Sequence, residues 1–167
     1  MVDISKRRFF KRNAVDETIV RLPWIARPSI FTNQCTRCNK CLDACETQII
    51  TIQDGGFPTV DFSLDECTFC YQCAAVCPEP IFNLESELPW EATVSINQQC
   101  LAFKNVECRS CSEMCETSAI RFQIEIGKVA QPIIDTNECT GCGGCVSVCP
   151  TSAIIVTNTR AVNQLTP

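Results

Sequence analysis

The chain has 167 residues, sixteen of them cysteine and none histidine, with a formal charge of −5. Its length suits one domain or two small ones. The missing histidine excludes His-ligated haem, Rieske centres, mixed Cys/His zinc sites and His-based acid–base catalysis. Residues 1–27 carry seven basic side chains (Lys6, Arg7, Arg8, Lys11, Arg12, Arg21, Arg27) and three acids. The rest carries seven basic and sixteen acidic residues, formally −9, so its partner is not expected to be nucleic acid.

The first element is a basic arm over residues 1–28. Its start resembles a twin-arginine export signal through Arg7, Arg8, Phe10 and Lys11, but Asn13, Asp16, Glu17 and Arg21 follow in place of an apolar core. No stretch approaches the length of a membrane span. The expectation is a cytoplasmic chain, where thiols stay reduced. Cysteine at this density either staples a secreted scaffold or binds metal, and a reducing compartment favours metal.

Four cysteine groups follow, and they hold every cysteine in the chain. They are Cys35, Cys38, Cys41, Cys45; then Cys67, Cys70, Cys73, Cys77; then Cys100, Cys108, Cys111, Cys115; then Cys139, Cys142, Cys145, Cys149. The second and fourth groups follow C-x2-C-x2-C-x3-C-P, the run by which bacterial ferredoxins hold iron–sulfur clusters. Three thiolates at i, i+3 and i+6 wrap one cluster. The fourth points away, toward a second cluster. Zinc sites use two separated pairs of ligands and do not repeat this pattern.

Between the groups, strands are expected. After Cys45, two β-rich runs flank Asp54, Gly55 and Gly56, a hairpin signal. After Cys115, Ile120, Phe122, Ile124 and Ile126 alternate with polar residues, as a half-buried strand should, and Gly127-Lys128 can turn the chain back. Residues 29–31 are read as the opening strand of a first unit. Residues 92–96 open a second unit, and 153–157 close it. The fold class is therefore α+β: tandem, small, cysteine-rich (βαβ)2 units like those of bacterial ferredoxins, stabilised by their clusters. The boundaries are 29–84 for the first two-cluster unit, 85–91 for a linker, 92–158 for the second unit and 159–167 for a tail.

Such units predict four 4Fe–4S sites. Site A takes Cys35, Cys38, Cys41 and Cys77. Site B takes Cys67, Cys70, Cys73 and Cys45. Site C takes Cys139, Cys142, Cys145 and Cys115. Site D takes Cys108, Cys111, Cys149 and Cys100. The other wiring pairs group one with four and two with three; it ranks second because the hairpin signals sit in the other connections. Site D departs from the spacing of the other three. Seven residues, 101–107, separate its first two cysteines. Either they bulge outward, or they leave Cys100 a poor ligand and the site oxygen-sensitive. Arg37 and Arg109, inside the cysteine groups, are read as solvated. Trp24 and Trp90, each after a proline, are read as packing anchors.

These motifs, taken in order, resemble the NapF family, the ferredoxin-type proteins of periplasmic nitrate reductase operons. The resemblance rests on the Arg-Arg start, PW before group one, CTRCNKCLDACE, DGGFP, ECTFCYQCAAVCPE, PW before CLAFKNVECRSCSEMCE, and ECTGCGGCVSVCP. It implies a cytoplasmic accessory protein, not an independent enzyme. Its implied partner is NapA, the nitrate reductase catalytic subunit, whose maturation before export it would assist by delivering a cluster or electrons. A ferredoxin-type electron carrier for an anaerobic respiratory oxidoreductase is the alternative.

Overall fold

The computed structural model describes residues 20–85, 87–90 and 92–158. Most of the basic arm and the tail at 159–167 lie outside the described residues. The elements in chain order are helix α1 (Pro28–Gln34), α2 (Lys40–Asp43), β1 (Ile50–Gln53), β2 (Phe57–Val60), α3 (Gln72–Ala75), β3 (Ala92–Ile96), α4 (Ser110–Glu113), β4 (Ile120–Gln123), β5 (Gln131–Ile134), α5 (Gly144–Ser147) and β6 (Ile154–Asn158). The strands form three antiparallel pairs, β1–β2, β3–β6 and β4–β5.

Both expected hairpins form. In the first, Ile50 faces Val60 and Gln53 faces Phe57 across a turn in which Gly55 and Gly56 adopt φ of 68° and 78°. Left-handed backbone of this kind is nearly free of cost only for glycine. In the second, Ile120 faces Ile134 and Gln123 faces Gln131. Here the strand is shorter than its alternation predicts. Only Ile120 is buried and Phe122 half-buried, while Ile124 and Ile126 are exposed. The chain already turns at Glu125, whose carbonyl accepts from the Lys128 N–H and whose carboxylate pairs with Lys128 at 2.9 Å.

The opening strand expected at residues 29–31 is a helix. Pro28 stands in its first turn, where a fixed φ and a missing N–H cost nothing. The chain pairing of the first half lies earlier, as a single bridge between Ile25 and Phe82. In the second half, 92–96 is a full strand as expected. It pairs along its length with β6, which runs one residue later than the expected 153–157.

Residues 20–25 belong to the packed body. Val20, Leu22, Trp24 and Ile25 are buried, and Val60 donates its N–H to the Val20 carbonyl at 2.9 Å. Leu22, Ile25, Phe31, Ile50 and Ile81 form a core within the first half. A second core takes Ile49, Val60 and Phe62 from the first half, Val94, Ile120, Ile154 and Val156 from the second, and Trp90 from the connection. One apolar cluster thus spans both halves. Trp90 anchors it, stacking edge-on against Phe62 and Phe69. Trp24 is buried too and sends its indole N–H to the Glu87 carbonyl at 3.0 Å. Both tryptophans are packing anchors.

No helix among the described residues is long and apolar enough to cross a membrane.

Candidate metal centres

Each four-residue helix begins beside a cysteine group and carries its third thiol: Cys41 on α2, Cys73 on α3, Cys111 on α4 and Cys145 on α5. Helices α2 and α3 pack together, as do α4 and α5. Groups one and two therefore meet, and groups three and four meet.

The loops of groups one, two and four are held in an unusual backbone, which group three lacks, Arg109 standing at φ −133°. On either side of the middle cysteine φ is positive: Arg37 and Asn39, Phe69 and Tyr71, Gly141 and Gly143. A turn of this hand wraps three successive thiols around one volume. A second left-handed residue recurs three positions after the last cysteine, at Gln48, Ser118 and Ser152. Each donates its N–H back to the carbonyl of that cysteine at 3.0–3.2 Å. In group two that position is Pro80, which cannot take positive φ.

The thiols surround cavities, and all sixteen are free. One cavity is lined by Cys35, Cys38, Cys41 and Cys77. Another is lined by Cys45, Cys67, Cys70 and Cys73. A third, of about 310 Å³, is lined by Cys115, Cys139, Cys142 and Cys145, and by Cys67 as well. A broad surface depression beside Phe103, Ile124 and Lys128 contains no cysteine. Among the described residues, no three Cys, Asp or Glu side chains converge closely enough to hold a single metal ion.

The thiol electrostatics reflect neighbours within each site and, for Cys67, Cys73 and Cys145, one thiol of an adjacent site: Cys142, Cys41 and Cys111. Burial pushes Cys41 up to about 11, and its neighbours Cys35 and Cys77 push the same way. Burial pushes Cys73 and Cys145 up to about 12, and Cys67 and Cys111 to about 11. The neighbours that raise Cys111 further are Cys100, Cys108 and Cys149. Cys100 therefore stands beside the other thiols of its expected site. The seven-residue insertion behind it is anchored at its start, while residues 103–107 are exposed. It folds into a tight turn over Ala102–Lys104, with Ala102 fully buried and its carbonyl accepting from Gln131 Nε2 at 2.9 Å.

Cys115 and Cys149 behave differently. Burial raises them, but hydrogen bonds outweigh it and leave both thiols lowered. For Cys149 the chief donor is the Ala153 N–H, 3.3 Å from Sγ.

The motif reading missed the hydroxyl that attends three of the outward-pointing cysteines. Thr47, Thr117 and Thr151 each stand two residues after one, with Oγ1 3.7, 3.7 and 3.8 Å from the Sγ of Cys45, Cys115 and Cys149. The repeated C-x-T was visible in the sequence, although group two breaks it with Glu79. Arg37 is exposed as expected, with its guanidinium 4.4 Å from the centre of the Phe57 ring. Arg109 is also exposed and pairs with Glu107 at 2.7 Å.

The chain resembles known iron–sulfur proteins. The family described as "4Fe-4S dicluster domain" matches twice, over residues 34–81 and 106–153. The chain is 42% identical over 135 residues to the ferredoxin-type protein NapF of Escherichia coli (strain K12), covering 81% of this chain and 82% of that protein. The chain belongs to the NapF family of ferredoxin-type iron–sulfur proteins. NapF of Haemophilus influenzae is 44% identical over 141 residues, covering 84% of this chain and 80% of its own. A more distant likeness, 29% identical over 151 residues, is to the ferredoxin-type protein NapG of E. coli (strain K12), of which 65% is covered. The two dicluster matches take in every cysteine of this NapF-like chain except Cys100.

Proposed function

We propose that the chain folds as two (βαβ)2 units and holds four 4Fe–4S clusters, one at each of sites A to D, with the sixteen cysteines as ligands. The observation that carries this reading is the lining of the cavities. Each of three cavities collects three thiols from one cysteine group and the outward-pointing thiol of its neighbour. The donor set fits such clusters: four sulfurs to a site, no histidine and no disulfide. Clusters bound there supply one-electron redox chemistry or transferable iron and sulfide.

The chain's own residues bind and screen. The left-handed loops aim three thiols inward, and the paired helices bring the fourth across. Backbone N–H groups and the threonine hydroxyls donate toward sulfur, favouring the thiolate that iron requires.

Family membership points this chemistry toward the periplasmic nitrate reductase system. The proposed role is to serve NapA in the cytoplasm before its export, by delivering a cluster or electrons, with no catalysis of its own. Mixing the anaerobically prepared holo-protein with cluster-free NapA tests it. Transfer of labelled iron to NapA supports maturation by cluster delivery. Reduction of cluster-loaded NapA without iron transfer supports electron delivery. Neither transfer nor reduction would remove NapA as the partner.

A further inference from the structure

The two halves touch at their cysteine loops. Cys67 donates its backbone N–H to the carbonyl of Cys142 at 2.8 Å. Cys67 also lines two cavities, that of its own group and that of Cys115, Cys139, Cys142 and Cys145. Cys67 and Thr68 line both cavities, so the two sites share a wall. Glycine makes the approach possible. A Cβ on Gly143 would collide with the Phe62 ring, 2.0 Å from its nearest carbon, and one on Gly144 would collide with the Glu66 carboxylate. The equivalent positions after the middle cysteine in groups one and two are Asn39 and Tyr71, which carry side chains with the same positive φ. The cysteine loop therefore does not itself demand glycine at 143. The contact with the first half does.

We propose that the Cys67–Cys142 contact is the crossing point for electrons between the two units, joining the four sites into one file in the order A, B, C, D. This rests on the ligation proposed above. The other two steps lie within the units. Cys41 of A and Cys73 of B sit on the packed helices α2 and α3, and Cys111 of D and Cys145 of C sit on α4 and α5. At the crossing, one electron leaves the cluster held by Cys67, which is oxidised by one unit, and enters that held by Cys142, which is reduced by one. No bond breaks and no proton moves. A low-potential one-electron reductant supplies the file from outside. Its A end is open, since Cys38 is exposed.

Pulsed dipolar electron-paramagnetic spectroscopy on the dithionite-reduced full chain tests this, after iron and acid-labile sulfide have been counted. The wild type should show a spin coupling across the two units besides the couplings within each. Gly143→Asn should keep the iron count, because Asn39 occupies the same position in group one, and should weaken the cross-unit coupling by forcing the two loops apart. Adding Phe62→Ala should restore it by making room for the new side chain. Full iron with only two isolated spin pairs in the wild type would overturn the crossing and leave the ligation standing, even if the variants fail to fold. Iron well short of four clusters would overturn the ligation, and the crossing with it.

Discussion

Trp90 donates its indole N–H to the carbonyl of Thr140, 3.1 Å away, just inside the fourth cysteine group. The tryptophan belongs to the connection between the two halves, yet it is buried against Phe62 and Phe69 of the first half and tied to a cluster loop of the second. Removing its ring leaves a cavity at the join. Trp90→Ala is expected to cost about 3–5 kcal/mol. Trp90→Phe keeps much of the volume but leaves the Thr140 carbonyl short of a donor, at about 1–3 kcal/mol. Anaerobic denaturant unfolding followed by cluster absorbance measures both, and equal stability of all three proteins would refute the anchoring role.

Thr47, Thr117 and Thr151 place hydroxyls near the sulfurs of Cys45, Cys115 and Cys149. A donor to a cluster sulfur stabilises the more negative, reduced state, so its loss lowers the potential. Thr→Val at any one of them should shift one cluster downward by on the order of 40 mV, taking a hydrogen bond at about 1 kcal/mol. A potentiometric titration reads this directly. An upward shift would contradict the assignment.

Cys100 is the one cysteine outside both dicluster matches, but it sits beside Cys111, with Ala102 pinned behind it by Gln131. Cys100→Ala should therefore reduce iron and labile sulfide by up to one cluster and leave sites A to C intact. Unchanged stoichiometry would strike Cys100 from the ligands.

The raised thiols make the metal-free chain sensitive to alkali. Values of about 11–12 for Cys41, Cys67, Cys73, Cys111 and Cys145 lie above the ordinary 9.0. Their neutral form thus favours the folded metal-free state fully below pH 9, and that contribution fades as the pH climbs toward 11–12. Clusters impose the opposite dependence, because thiolates must form to bind iron. Chelating the iron should remove most native circular dichroism at pH 7, and whatever signal survives should fall between pH 9 and 12. Cluster assembly on the metal-free chain should improve as the pH rises from 7 to 9 and release about four protons per cluster. Full native dichroism after chelation would mean that the fold does not need its clusters.

Cysteine spacing alone determined a great deal here, because a cluster loop is a local structure: thiols three apart on a left-handed turn reach one volume whatever surrounds them. The same holds for the Asp54-Gly55-Gly56 hairpin, whose turn is specified by its own residues. Alternation misled at Ile124 and Ile126, since a strand lasts only as long as there is a core beneath it, and the core ends under Phe122. Residues 29–31 misled in a related way. Their β-like character gives way to the helix that Pro28 starts, and the pairing falls to Ile25 and Phe82. Only the tertiary structure decided how the halves join. Gly143 against Phe62, Cys67 against Cys142 and Trp90 against Thr140 are contacts between residues far apart in the chain, fixed by the shape of both surfaces at once, and no local pattern encodes that.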